Sequence, residues 1–322
     1  MVANSLRHRL HWLALRGFMV FLFALVLPLA ARIGGRTARR MAAWAGGAAF
    51  RLDVDWRTVS LRQHFLRERT LAALREIQPE APPETFAAQA RERFICAAQE
   101  ELDAHYFFSD PELFRQCSFE GLEAVREAAS RTGVLFMTLH LDTTLMGVVQ
   151  LGKAGLKLNL MTSNIVQDAR VPAVIRKFFQ HKYEGIERHL NGGHYWHVET
   201  HTRDFYRALA RGEGVVVLCE GPALTLEDGV LTKFLGKTRA LSPGALRLAK
   251  RSGAALVGMI CLRTGPESYR VVFSPVYEPS ALAPEQAIHE VYAFLDQAIR
   301  ATPGRWWAAD LLPAFINVEN KA

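Results

Sequence analysis

The rhythm of apolar and polar positions changes twice along the chain. Residues 17–31 form an uncharged, almost wholly apolar run. From residue 56 to 107 apolar positions recur at helical spacing among charges, as in two or three amphipathic helices. One covers 59–77 and another 83–108, parted by Gln78, Pro79, Glu80, Ala81 and Pro82, because a residue preceding proline is pushed out of the α region. From Gly133 onward short apolar runs alternate with helical patterns. Strands are expected at 134–139, 156–161, 214–219 and, more weakly, 230–235, with a strand pair at 255–263 and 269–273. Helices are expected at 143–151, 171–180, 202–210 and 284–300, and from Ser242 as N-cap, with Pro243 in the first turn, to about Lys250. Strands alternating with helices predict an α/β fold, a mixed central sheet flanked by helices. The expected division is an N-terminal basic and apolar anchor, residues 1–50, followed by an α/β domain, residues 51–322.

Charge sharpens the reading of the first unit. Residues 1–50 carry Arg7, Arg9, Arg16, Arg32, Arg36, Arg39 and Arg40 and no acid, within a chain of net charge +7. Cations flanking a greasy segment suit an anionic membrane surface better than nucleic acid, so membrane lipid is the expected partner and nucleic acid is not. As a helix the run from Gly17 to Ala31 would span about 22 Å, short of the ~30 Å hydrocarbon core. Reaching back to Leu13 lengthens it but includes Arg16, and Pro28 bends its last turn. A membrane anchor or membrane-dipping helix is favoured over a core helix or a cleaved signal peptide. The four cysteines, Cys96, Cys117, Cys219 and Cys261, are scattered without zinc-type spacing, which suits reduced thiols on the cytoplasmic side.

Several residues could carry chemistry. His140 directly follows an apolar strand, and Asp142, Thr143 and Thr144 after it resemble a helix start. Carboxyl ends of strands are where open α/β sheets bind ligands, and an imidazole there can act as a general base. The helix N-terminus beside it offers N–H groups to an oxyanion. Glu220 and Gly221 close the other buried strand, where a carboxylate can touch a substrate hydroxyl or orient a base. Cys219 beside them reads as a buried structural thiol rather than a nucleophile. Lys233, Lys237 and Arg239 could hold an anionic headgroup or equally form a solvated basic loop. His181, His189, His194, His197 and His201 could include metal ligands, but no confident helix aligns them, and no metal site is expected.

The order of these pieces resembles the bacterial lipid A lauroyl/myristoyl acyltransferases and the wider lysophospholipid acyltransferase superfamily, over residues 15–316. The stretch from Gly133 to His140 resembles the strand leading to that family's H-x4-D/E histidine. Arg207 to Gly221 resembles its acceptor motif. Phe234 to Ala254 resembles its F-F-G…L-A-x-R-x-G-A stretch, and Pro303 to Trp307 its closing P-x-x-W-x-W region. The resemblance implies a glycerolipid-acyltransferase-like fold at the cytoplasmic face of the bacterial inner membrane. It implies a thioester of acyl carrier protein or coenzyme A as co-substrate, without metal or redox cofactor, and His140 as general base. Glu220 and Gly221, with Lys233 and Arg239, would bind the acceptor. The acid five residues after the histidine is missing, because that position is Leu145. Asp142 could replace it or cap the helix, and Glu220 is the other candidate orienter. Cys219 and Gly258 stand where the family commonly has proline. These departures leave a second expectation open: a catalytically degenerate acyl-chain- or carrier-binding protein on the same fold.

Overall fold

The computed structural model describes residues 2–108 and 116–318, with side chains from Leu10 onward. Residues 109–115 and 319–322 of the expected second unit lie outside the described ones.

The apolar run near the N-terminus is part of a longer helical rod. Helix α1 (Val2–Phe21) passes into a π-helical stretch, Leu22–Val26, and then into α2 (Leu27–Ile33). The amide of Leu27 bonds Leu22 O, one residue farther back than in an α-helix. That wider turn makes room for Pro28, whose ring would otherwise meet the carbonyl of Ala24. Gly34, at φ 73°, ends the rod and turns the chain into α3 (Gly35–Leu52). Leu10–Ile33 makes one helical stretch of 24 residues, with a mean hydropathy of 2.2 over its most apolar 18-residue window, long and apolar enough to cross a membrane. It exceeds the expected run because residues before Gly17 and after Ala31 continue the helix.

This rod has two apolar sides. Leu15, Met19, Leu22, Phe23, Val26, Leu27 and Ala30 are buried against the body of the protein. Leu10, Leu13, Phe21, Leu25, Leu29 and Ile33 are exposed. The spacing of roughly four residues within each set is the helical repeat seen from opposite faces. Phe23 meets Phe178 edge to face at 4.7 Å.

The expected helix at 59–77 is two helices, α4 (Trp56–Leu61) and α5 (Leu66–Ile77). Arg62 (φ 55°) and Phe65 (φ 61°) adopt left-handed backbone that a continuous helix excludes. Helix α6 (Pro83–Tyr106) follows. It crosses α3 closely: a Cβ at Gly46 would lie 2.5 Å from Ile95 Cα, so a larger residue would separate the two backbones. The residue-50 boundary is therefore no break in packing, and one buried cluster runs from Leu15 through Phe94 and Leu102 to Phe273.

The remaining order is β1 (Gln116–Glu120), α7 (Leu122–Arg131), β2 (Val134–Thr138), α8 (Thr144–Lys153), β3 (Leu158–Thr162), α9 (Ala173–Glu187), β4 (Tyr195–His197), α10 (Val198–Ala210), β5 (Gly214–Leu218), β6 (Val230–Phe234), β7 (Lys237–Leu241), α11 (Gly244–Ser252), β8 (Ala255–Arg263), β9 (Ser268–Phe273), α12 (Pro284–Ala301) and β10 (Ile316–Asn317). Seven strands form the main sheet in the order β1-β9-β8-β2-β5-β3-β4. Strands β8, β2, β5, β3 and β4 run parallel, and β9 turns back antiparallel to β8. A second, antiparallel sheet has the order β10-β7-β6. The mixed α/β architecture is the one expected.

Strand β2 is buried on both faces. Val134 and Phe136 point into the core with α7, α8, α9 and the N-terminal helices, while Leu135 and Met137 point into the core with α10, α11 and α12. A strand with a two-residue repeat and helices on either side has to be apolar at every position.

Candidate active site

The register of the central strands sets the site. Thr138 at the end of β2 lies opposite Leu218 at the end of β5. Two residues on from each, His140 and Glu220 leave the same edge of the sheet side by side. Their side chains meet, His140 Nδ1 against Glu220 Oε1. The backbone amide of His140 donates to Glu220 Oε2 at 2.9 Å, and Trp306 Nε1 donates to the same oxygen at 3.0 Å. Glu220 is thus a buried carboxylate held by three donors.

A carboxylate accepts hydrogen bonds and does not donate them, so Nδ1 of the neutral imidazole carries the proton and Nε2 keeps the free lone pair. The ring is about 29 % exposed. It opens into a cleft of about 590 Å³, within the ~300–1,000 Å³ typical of ligand pockets. Apolar walls come from Trp56, Leu61, Leu145, Leu160, Phe179 and Leu311. Burial resists charging His140, but the Glu220 carboxylate outweighs it, aided by Glu100, and the ring pKa is raised above 6.5.

The closing segment after α12 locks the histidine loop. Trp307 N donates to His140 O at 2.8 Å, and the two rings lie 4.6 Å apart. Trp307 in turn carries Arg57 over its ring at 4.7 Å, and Arg93 Nε donates to its carbonyl at 2.8 Å. Arg57 and Arg93 share two carboxylates, Asp55 and Asp310, in a buried quartet.

Asp142 is not brought to His140. Its φ of 54° turns the carboxylate to the other side of the loop, where Arg263 N donates to Oδ2 at 2.8 Å and Arg305 Nη1 at 2.9 Å. There it borders a separate pocket with Arg39, Cys96 and Arg263. Nor does it cap α8, whose N-cap residue is Thr143. Leu145, in the position where the family pattern has its acid, lines the main cleft. The carboxylate on the imidazole comes instead from the neighbouring strand.

Lys233 and Arg239 also fall elsewhere. Residues 230–241 make the hairpin of β6 and β7 rather than a loop over the cleft, and this hairpin builds the second sheet. Lys233 is exposed on β6. Arg239 is fully buried, donating to Phe234 O at 2.8 Å, Asn317 Oδ1 at 2.8 Å and Glu76 Oε1 at 2.5 Å. It pins β7 to β10 and α5. Lys237 pairs with Glu76 at 2.7 Å. Gly221 lies between Glu220 and the second sheet, accepting from Ser242 N at 3.0 Å.

The buried Cys219 thiol donates to Thr138 O at 3.2 Å, and burial beside Glu220 pushes its pKa up, the opposite of an activated nucleophile. His194 pairs with Glu187 at 2.8 Å, His197 sits 3.0 Å from Thr162 Oγ1, and His201 lies at a kink inside α10. Among the described residues no group of three metal-binding side chains forms. Two cleft residues carried no signal in the sequence, Glu100 on α6 and Lys182 on α9. In amphipathic helices they look like ordinary solvated charges, yet they are 5 % and 4 % exposed.

An imidazole held in one tautomer, with its accepting nitrogen left for a mostly apolar cleft, is an arrangement compatible with an acyl-transfer enzyme. The chain belongs to the bacterial lipid A biosynthesis acyltransferase family, whose model matches residues 6–309, nearly its whole length. It is accordingly an acyltransferase enzyme of lipid biosynthesis, acting with acyl thioester and lipid substrates. That family is membrane-associated, in keeping with the apolar N-terminal helix. No curated protein matches the chain significantly.

Proposed function

We propose that the protein moves a fatty acyl group from an acyl carrier protein or coenzyme A thioester to a hydroxyl or amine of a lipid-like acceptor. The reaction takes place at the cytoplasmic face of the bacterial inner membrane. His140 is the general base and Glu220 fixes its tautomer. The observation that carries this is the His140–Glu220 pair at the head of the apolar-walled cleft.

The steps balance with the residues at hand. His140 Nε2 takes the proton of the acceptor hydroxyl as its oxygen attacks the thioester carbonyl carbon. The attack leaves a tetrahedral oxyanion on that carbon. The C–S bond then breaks, and the departing thiolate takes the proton back from the imidazolium. Glu220 stabilises the imidazolium between these steps, the same attraction that raises the pKa of His140.

The N-terminal rod supports a membrane-dipping anchor rather than a free span. Its inner face is packed on the protein, so the exposed line Leu10, Leu13, Phe21, Leu25, Leu29 and Ile33 is the surface offered to lipid.

The test follows transfer from a lauroyl thioester into membrane extract, comparing wild type with His140→Ala. Transfer with wild type alone is expected. Equal transfer by both removes His140 from the chemistry, and none by either favours the degenerate binding protein. The geometry weighs against that second reading, because the carboxylate missing at Leu145 is supplied by Glu220.

A further inference from the structure

The mechanism uses two polar groups of the cleft, His140 and Glu220. Another carboxylate stands in the same wall without a part in it. Glu100 on α6 is 5 % exposed and lines the cleft with His140, and among the described residues no donor reaches its Oε1. It is near enough for its charge to raise the pKa of the imidazole. Its neighbour Glu101 is paired with Lys182 at 3.2 Å, so two buried carboxylates share one ammonium. Burial raises the pKa of Glu101 more than Lys182 lowers it. Burial disfavours the Lys182 ammonium, but Glu101 and then Glu100 hold it charged. The other cations on the wall are also committed, Arg57 to Asp55 at 2.8 Å and Asp310 at 2.9 Å, and Arg170 to Asp168 at 2.6 Å.

A buried carboxylate oxygen without a donor costs about 1–3 kcal/mol or more, and proteins rarely keep one idle. Glu100 stands beside a general base in a mostly apolar cleft whose cations are already paired, so the donor left to meet it is a group on the substrate. An acyl chain has none to give, and a phosphate would meet uncompensated negative charge.

Resting on the acyltransferase reading above, we propose that Glu100 is the acceptor-recognising carboxylate. Its carboxylate takes a hydrogen bond from a second hydroxyl or ammonium of the acceptor, close to the hydroxyl that His140 deprotonates. The acceptor is therefore donor-rich near the reacting oxygen, as in an amino alcohol or vicinal diol, and carries no phosphate at that point. Lys182 holds Glu101 and leaves Glu100 for the ligand.

The experiment pairs two probes, dodecanol and the same alcohol with an amino group on the adjacent carbon, with the lauroyl thioesters of coenzyme A and of acyl carrier protein as donors. Wild type is expected to prefer the amino alcohol by about tenfold or more in kcat/KM, the worth of one charge-assisted hydrogen bond. Glu100→Gln and Glu100→Ala should shrink that ratio to about twofold or less. Circular dichroism confirms folding, and if the alanine variant fails to fold, the near-isosteric glutamine variant carries the comparison. A wild type with equal rates on both probes, or a preference that survives loss of Glu100, overturns the assignment while the His140-dependent transfer stands. Absence of His140-dependent transfer with either probe overturns the acyltransferase reading, and the role of Glu100 with it.

Discussion

His140 and Glu220, 80 residues apart in the chain, lie side by side because each follows by two residues the paired ends of adjacent parallel strands, Thr138 and Leu218. The pair carries a pH signature. His140 acts as a base only when neutral, and its pKa is raised above 6.5, so kcat/KM should climb with pH through an apparent pKa above that value. Glu220→Gln removes the charge that outweighs burial. The rising limb should then move to lower pH, while the plateau rate drops about a hundredfold or more. A pH–rate profile whose limb stays in place in the variant would sever Glu220 from the base.

Restoring the acid of the family pattern should do harm here. Leu145 is 5 % exposed on the cleft wall, with Glu220 and Glu100 already facing the same space. Leu145→Asp adds a further buried carboxylate with no cation of its own, so acyl transfer should fall rather than rise. Equilibrium unfolding should show a loss of about 2 kcal/mol or more. A variant more active than wild type would mean that Glu220 is a poor substitute for the usual acid.

The quartet behind Trp307 should be structural in effect and catalytic only at a distance. Asp310 binds both Arg57 and Arg93 and has no exposed side-chain surface. Asp310→Ala leaves two guanidiniums sharing Asp55 alone. Unfolding in urea should register a loss of about 3–5 kcal/mol, the cost of breaking a buried ion pair from one side. A loss below about 1 kcal/mol would place water or Asp55 as full compensation.

Membrane attachment should depend on one face of the N-terminal rod. Leu25, Leu29 and Ile33 are 52 %, 44 % and 52 % exposed, so replacing all three with glutamate leaves the packed face intact. In vesicle flotation with anionic lipid the triple variant should stay in the soluble fraction while wild type floats. Substitution of buried Leu27 is instead expected to unfold the region, because its side chain is fully enclosed. Flotation of the triple variant at the wild-type level would move the lipid contact off this face.

The elements that local patterning encodes were legible before any coordinates. Strands β2, β5 and β8 stand close to the apolar runs that announce them, since a strand covered on both faces must be apolar throughout. Edge elements were not. Strand β4 is three residues long, and β1 shows alternating partial exposure, so neither forms an apolar run. Helix α11 starts at Gly244 after Pro243 rather than on a Ser242 cap, because Ser242 N is drawn to Gly221 O across the sheet edge.

By itself the sequence determined which segments must be buried, that the fold is α/β, and that an imidazole and a carboxylate terminate two core strands. These are consequences of periodicity and of side chains acting near their own backbone. Strand register and loop handedness, set by packing between segments far apart in the chain, decided the rest. They brought Glu220 rather than Asp142 to the ring, sent Arg239 into a structural ion pair, and buried Glu100 and Lys182 in the cleft wall. A charge on an amphipathic helix bears no local mark of whether the surface it meets will be water or another helix, and only the assembled fold makes that choice.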